Sequence, residues 1–205
     1  MKSTLQKCLK EVNACSKCMG ICKAVGPYGK DIGLDYVTPK IPVEIFFVAE
    51  SPPSNKGNFF YNEQATDTRF RKRLFKLINL AGLKPVNSIK EFNSRGYYLA
   101  DTINCRWNKN KKEAKQPSPK QLNKIISNCL FYLRIQLEVL KPKSIVFMGK
   151  LAERVNNYEE LQSTISKLEI INSRVIEMPF ILTAPVKTEV LVEKLSALKE
   201  LGISS

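Results

Sequence analysis

Apolar residues recur along this chain with two periods, and the switches between them mark the elements. Ile45–Ala49, IFFVA, is a continuous apolar run followed closely by Pro52 and Pro53, which lack the N–H that a central strand must donate. Such a run predicts a strand buried on both faces near 43–49. Phe70, Leu74, Leu77, Ile78 and Ala81 then fall at helical spacing and predict a helix over 66–81, with Gly82 placed to stop it. YYLADTI predicts a second strand over 97–103. Ser118 and Pro119 open a long helix whose apolar side carries Leu122, Ile125, Ile126, Cys129, Leu130, Leu133 and Leu137, and Lys141 and Pro142 end it. SIVFMG from Ser144 predicts a third buried strand, followed by a short helix near Lys150. FILTAP predicts a later strand over 180–185, and a last helix is expected over 189–201.

Strands alternating with helices imply a mostly parallel sheet covered on both faces, and such sheets bind ligands at the carboxyl ends of their strands. Glu50, Asp101 and the segment 183–186 each follow a predicted buried strand, so the fold can gather them at one rim. Each acid has two readings, an active-site group or a strand-end cap paired to surface lysine.

Composition narrows the class. With 205 residues and 43% hydrophobic content the chain can bury one good core, so a single domain over 1–205 is expected, with a Cys-rich segment over 1–30. No apolar run reaches the roughly 18 residues of a membrane helix, and MKSTLQKCLKEVNACSKC lacks a signal-peptide core. A soluble, cytoplasmic monomer is the expectation. The net charge of +14, from 33 Lys and Arg against 19 Asp and Glu, suits a polyanionic partner, although a solvated basic surface gives the same sum. Clustering favours a nucleic acid, in duplex or single-stranded form. RWNKNKKEAK over 106–115 places Arg106, Lys109, Lys111, Lys112 and Lys115 beside Trp107, a pattern suited to following phosphates and stacking on a base, with Lys187 a further basic candidate. Trp107 next to Cys105 is equally suited to core packing. Histidine is absent, which removes Ser-His-Asp and Cys-His catalysis and mixed Cys/His zinc sites.

Six cysteines remain: Cys8, Cys15, Cys18, Cys22, Cys105 and Cys129. In a reducing compartment a CSKC pair with further cysteines reads as a metal site before a disulfide framework. Four thiolates hold either zinc or an iron–sulfur cluster, and spacing alone does not separate the two. Cys8 and Cys22 read as spare thiols, and Cys129 reads equally as core or ligand.

The order CxxC, AESPP, GNFFY, LINLAGL, DTINC, a Pro-containing basic loop, a further lone Cys and LKPKSIVFMGKLA resembles the family 4 uracil-DNA glycosylases, iron–sulfur members of the uracil-DNA glycosylase superfamily. The resemblance runs from Cys15 onward. It implies a three-layer α/β/α sandwich around a mostly parallel sheet of four to five strands, and base excision repair as the activity. It implies a structural [4Fe-4S] cluster on Cys15, Cys18, Cys105 and Cys129, in preference to zinc. The family's Gly-Glu-Ala-Pro-Gly motif falls on Ala49, Glu50, Ser51, Pro52 and Pro53. Its base-stacking aromatic falls on Phe60, beside Tyr61.

Two departures stand out. The family Asn that reads the uracil edge falls on Asp101, which when ionised can only accept hydrogen bonds. The family His falls on Ala184, before Pro185, and loss of one such donor costs about 100 to 1000-fold in rate. The expected function is therefore a divergent glycosylase acting on uracil or another deaminated or altered base. In it Glu50 and Asp101 are catalytic, and Ser51, Phe60 and Tyr61 hold the base. The alternative is an inactive iron–sulfur DNA-binding protein or interaction subunit on the same scaffold.

Overall fold

A computed structural model describes residues 2–18, 37–53, 55–105, 117–168, 175–182 and 187–201. Its four strands are β1 (Ile45–Ala49), β2 (Tyr97–Asp101), β3 (Ser144–Met148) and β4 (Val175–Met178), in spatial order β2-β1-β3-β4. All three pairings are parallel, with Ala49 opposite Asp101, Phe47 opposite Val146, and Phe147 opposite Glu177. β1, β2 and β3 are buried at every position, as a sheet covered on both faces requires.

The helices are α1 (Lys2–Ala14), α2 (Arg69–Leu80), α3 (Ile89–Ser94), α4 (Pro119–Leu140), α5 (Lys150–Asn156), α6 (Glu159–Lys167) and α7 (Thr188–Ser196), with 3-10 turns at Lys56–Asn58 and Ala197–Leu201. α1 and α6 pack on α4, whereas α2 packs on α7, which gives helical layers on both sides of the sheet. The α/β expectation holds, with four strands among the described residues.

Local chemistry sets the boundaries. Ser118 caps α4 through a reciprocal capping box with Gln121, Pro119 stands in the first turn, and Lys141 closes the helix in the left-handed conformation at φ 43°. α2 begins at Arg69, three residues after the predicted start, because residues 62–66 are held in turns by Asn58 and Asn62. The predicted strand over 180–185 is corrected. The fourth strand is Val175–Met178, Pro179 cannot extend its ladder, and Ile181 and Leu182 lie in a turn. Residues 183–185 of that prediction lie outside the described residues. No helix among the described residues is long and apolar enough to cross a membrane.

Candidate functional site

The parallel register of β1 and β2 carries their C-terminal ends to one level, and pairing continues past the strands, since Thr102 N–H donates to Ala49 O at 2.7 Å and Ile103 N–H to Glu50 O at 3.0 Å. Above this end lies a cavity of about 340 Å³. β1 supplies Ala49 and the succeeding Ser51, Pro52 and Pro53. β2 supplies Leu99 and Asp101. The turn before α2 supplies Phe59 and Phe60, the first turn of α2 supplies Arg69, Phe70 and Arg71, and the segment after β4 supplies Phe180 and Leu182. A parallel sheet open at its carboxyl edge thus provides a pocket with an apolar wall and a few polar groups, in the size range of small-ligand sites.

The aromatic wall is a packed cluster. Phe60 is 7% exposed and meets Tyr61, Phe70, Phe75 and Phe92 edge-on at centroid distances of 5.0 to 6.1 Å. Phe70 and Phe180, both half-buried, stack at 5.8 Å and 26°. Arg71 fixes the turn that presents Phe60. Its Nη2 donates to the carbonyls of Phe59, Phe60 and Asn62, and its guanidinium stands 5.9 Å from the Phe60 centroid. Burial pulls the Arg71 pKa down from its ordinary value, with Glu63 opposing the change. At the mouth, Arg69 pairs with Asp67 at 2.7 Å, and the Arg69 hydrogen bonds lower the Asp67 carboxyl to about 2.

The two acids of the motif part company. Asp101 is in the cavity wall and 8% exposed. Glu50 points the other way, because successive side chains of an extended segment alternate and its neighbours Ala49 and Ser51 take the cavity side. Its Oε1 accepts the Leu151 N–H at 3.4 Å and lies against Gly149. Gly149 has φ +95°, and a Cβ there would come 2.8 Å from Glu50 Oε1 and 3.0 Å from the Phe180 Cβ. Glu50 therefore stands one layer behind the cavity, next to Phe180. Tyr61 is also behind the wall. It is 2% exposed, its hydroxyl donates to Leu99 O at 3.1 Å and accepts from Leu99 N–H at 2.8 Å, and burial raises its pKa well above the ordinary value.

A second assembly of side chains lies where α1 and its following turn meet α4. Cys18, Cys105 and Cys129 are buried and Cys15 is partly so. Cys129 is pushed up to about 12 by burial, against a hydrogen bond from the Asn104 backbone, and the charges of Cys105, Cys18 and Cys15 all act on it. Cys18 is raised by burial, opposed by the Asn128 side chain, which donates to its Sγ at 3.3 Å, and it too lies in the field of Cys105 and Cys15. Cys18 and Cys129 thus each lie in the field of Cys15 and Cys105. Cys8 stands apart, buried in the α1–α4 contact with Sγ 3.8 Å from Tyr132 O. Among the described residues no three of His, Cys, Asp and Glu form a group that could hold a metal ion. Cys22, the basic residues Arg106, Lys109, Lys111, Lys112 and Lys115, Trp107, and Ala184 with Pro185 lie outside the described residues, while Lys187 is exposed before α7.

Sequence reasoning did not single out Arg71, Phe70 or Phe180 for the site. Phe70 reads as one more apolar helix position and Phe180 as a strand residue. The only local signal for Arg71 is the basic run RFRKR.

With this geometry in hand, comparison with known families is informative. A family model described as Uracil DNA glycosylase superfamily matches residues 36–189, three-quarters of the chain. The chain belongs to that superfamily. No curated protein matches it. The match begins after Cys15 and Cys18 and includes both carboxyl-end acids, Cys105 and Cys129.

Proposed function

We propose that this chain is a divergent DNA glycosylase that excises uracil or another deaminated or altered base. The observation that carries the reading is the placement of Asp101 and the aromatic wall of Phe60, Phe70 and Phe180 around one cavity at the carboxyl ends of β1 and β2. A base turned out of the DNA stack needs a site with π-faces and a polar group at its edge, which together repay part of the few kcal/mol that flipping costs. Asp101 faces the base edge, the aromatic wall packs its ring, and the backbone near Ser51 offers N–H donors to its carbonyls. Base loss passes through an oxocarbenium-like sugar while water attacks the anomeric carbon. Glu50, held one layer behind the cavity by the Leu151 N–H and against Gly149, is the carboxylate assigned to the developing sugar cation, acting through its field. The basic loop and Lys187 bind phosphates.

The same reading makes the chain a family 4-like member holding a [4Fe-4S] cluster on Cys15, Cys18, Cys105 and Cys129. Its support is that Cys18 and Cys129 each lie in the field of Cys15 and Cys105, together with the two donors, Asn128 and the Asn104 backbone, aimed at cysteine sulfurs. Hydrogen bonds to sulfur are what cluster thiolates carry. Zinc, held by four donors about 2.3 Å from a single point, is the alternative.

One observation favours a second reading. Ala184 stands where the family resemblance places histidine, and the chain has none anywhere. An inactive iron–sulfur DNA-binding protein would keep the cavity and lose the chemistry. Abasic-site formation on oligonucleotides carrying uracil, hypoxanthine, xanthine or mismatched bases decides between them. Cleavage at any altered base supports the glycosylase, and none at any base, with DNA binding intact, supports the binder.

A further inference from the structure

We propose that Asn58 is a specificity-determining residue of the cavity, an amide donor set in its wall for a ring carbonyl oxygen, so that the ligand it selects is an oxo base such as uracil. The inference deepens the glycosylase reading and rests on it.

The ground is how the Asn58 amide is divided. Asn58 lines the cavity and is partly buried. Its Oδ1 accepts the Asp67 N–H and the Thr66 hydroxyl, each at 3.1 Å. A backbone N–H can only donate, so the Asp67 bond decides which end of the amide is the oxygen. The amino end has no hydrogen-bond partner among the described residues and is not sealed in the core. What Asn58 retains for a ligand is therefore an N–H donor, matched to a carbonyl and mismatched to an amine.

The donor is also held in place. Asn58 ends the 3-10 turn Lys56–Asn58, its backbone N–H donates to Asn55 O at 3.0 Å, and the Asn62 side chain braces the turn by donating to Gly57 O at 2.7 Å. Phe59 and Phe60 follow directly and line the same cavity, so the amide and the aromatic wall share one braced segment. A group already ordered before binding loses little conformational entropy when a ligand arrives.

The other side-chain donors of the wall discriminate less. Arg69 directs Nε and Nη2 to Asp67, and Arg71 directs Nη2 to the carbonyls of Phe59, Phe60 and Asn62. Ser51 and Thr68 carry hydroxyls, which donate or accept by rotation and so meet a carbonyl or an amine alike. Asn55 repeats the division of Asn58, with Oδ1 accepting the Gly57 N–H at 2.9 Å, but it is exposed, where water competes for the bond.

The test uses the full chain with whatever metal it retains. Calorimetry compares uracil, 2-thiouracil and 4-thiouracil, in which a weakly accepting sulfur replaces one carbonyl oxygen, on the wild type and on Asn58→Asp. Aspartate keeps an acceptor for the Asp67 N–H and the Thr66 hydroxyl and removes the donor. In the wild type at least one thio analogue should bind about fivefold or more weakly than uracil, uracil should bind Asn58→Asp at least about tenfold more weakly than the wild type, and the thio penalty should vanish in the variant. Asn58→Asp must melt as the wild type does for the cycle to count; if it unfolds, the wild-type comparison decides, and equal binding of uracil and both thio analogues overturns the inference. Unchanged uracil affinity in the folded variant, a thio penalty that persists there, or no free base bound by the wild type also overturns it. Excision from oligonucleotides carrying altered bases is scored separately: if it persists after any of these results the glycosylase reading stands, and if no altered base is excised that reading falls as well.

Discussion

Phe70 and Phe180 stack at 5.8 Å and so join the first turn of α2 to the segment leaving β4 at one wall of the cavity. Both rings are half-buried, so each keeps surface available to a ligand. Phe180→Ala should weaken binding to duplex carrying an altered base by about 1 to 3 kcal/mol, the worth of one aromatic stack. Affinity for unaltered duplex should not change. Fluorescence anisotropy on matched duplexes checks both, and equal losses on the two would mean that the pair merely props the loop.

Tyr61 supports the wall from behind. β2 is the outer strand of the sheet, and the Tyr61 hydroxyl satisfies both backbone groups of Leu99 on its unpaired side. Tyr61→Phe leaves a buried N–H and C=O without that partner and should cost about 1 to 3 kcal/mol of folding stability. Denaturant unfolding should show the loss, with the preference among bases unaltered because Tyr61 does not line the cavity.

Gly149 is the point where Glu50 and Phe180 converge. Its φ of +95° disfavours any side chain, and a Cβ would lie 3.0 Å from the Phe180 Cβ. Gly149→Ala should therefore destabilise the fold by about 1 to 3 kcal/mol and displace Phe180, with weaker base binding as a second effect. Glu50→Gln keeps an acceptor for Leu151 N–H and should leave stability within about 0.5 kcal/mol of wild type. A catalytic Glu50 predicts loss of excision in this variant at unchanged DNA affinity. Full activity would confine Glu50 to holding the Gly149 turn.

The strands were legible because burial on both faces writes itself as continuous apolar sequence, as in IFFVA and SIVFM. α4 was legible because Ser118, Pro119 and Lys141 sign its ends. Val175–Met178 was not, because an outer strand of four residues with Glu177 exposed carries a weaker apolar signal than the FIL that follows Pro179. The direction of Glu50 could in principle be read from strand alternation, but only once Ala49 and Ser51 are known to face the cavity. Arg71 escapes any local rule. Its function depends on carbonyls of residues 59, 60 and 62, which only the folded turn brings beneath it.

The cysteine neighbourhood predicts colour. If Cys15, Cys18, Cys105 and Cys129 ligate a [4Fe-4S] cluster, protein purified without oxygen should be brown, with broad absorbance near about 400 nm. Serine at Cys15 or Cys129 should bleach it and lower the melting temperature, because Cys15 follows α1 while Cys129 lies on α4 and the cluster would tie them. Cys8→Ser should leave the absorbance intact, since Cys8 lies in the helix contact and outside the group of four. Stoichiometric zinc without iron would instead assign the site to a single ion.

The basic segment over 106–116 predicts how binding responds to salt. Each phosphate neutralised by Lys or Arg releases condensed counterions, so log affinity falls with log salt by roughly 0.9 per contact on duplex and about 0.7 on single strands. Replacing Lys109, Lys111, Lys112 and Lys115 with Gln should therefore flatten the slope by roughly 3 to 4 on duplex if all four follow phosphates, and by a little less on single strands. Lys187, exposed ahead of α7, should contribute about one further unit when replaced. Free-base affinity should be untouched by the Lys187 replacement, since Lys187 does not line the cavity. Titrations at several salt concentrations measure the slope directly. A slope identical to wild type in the fourfold variant would make the segment a solvated surface.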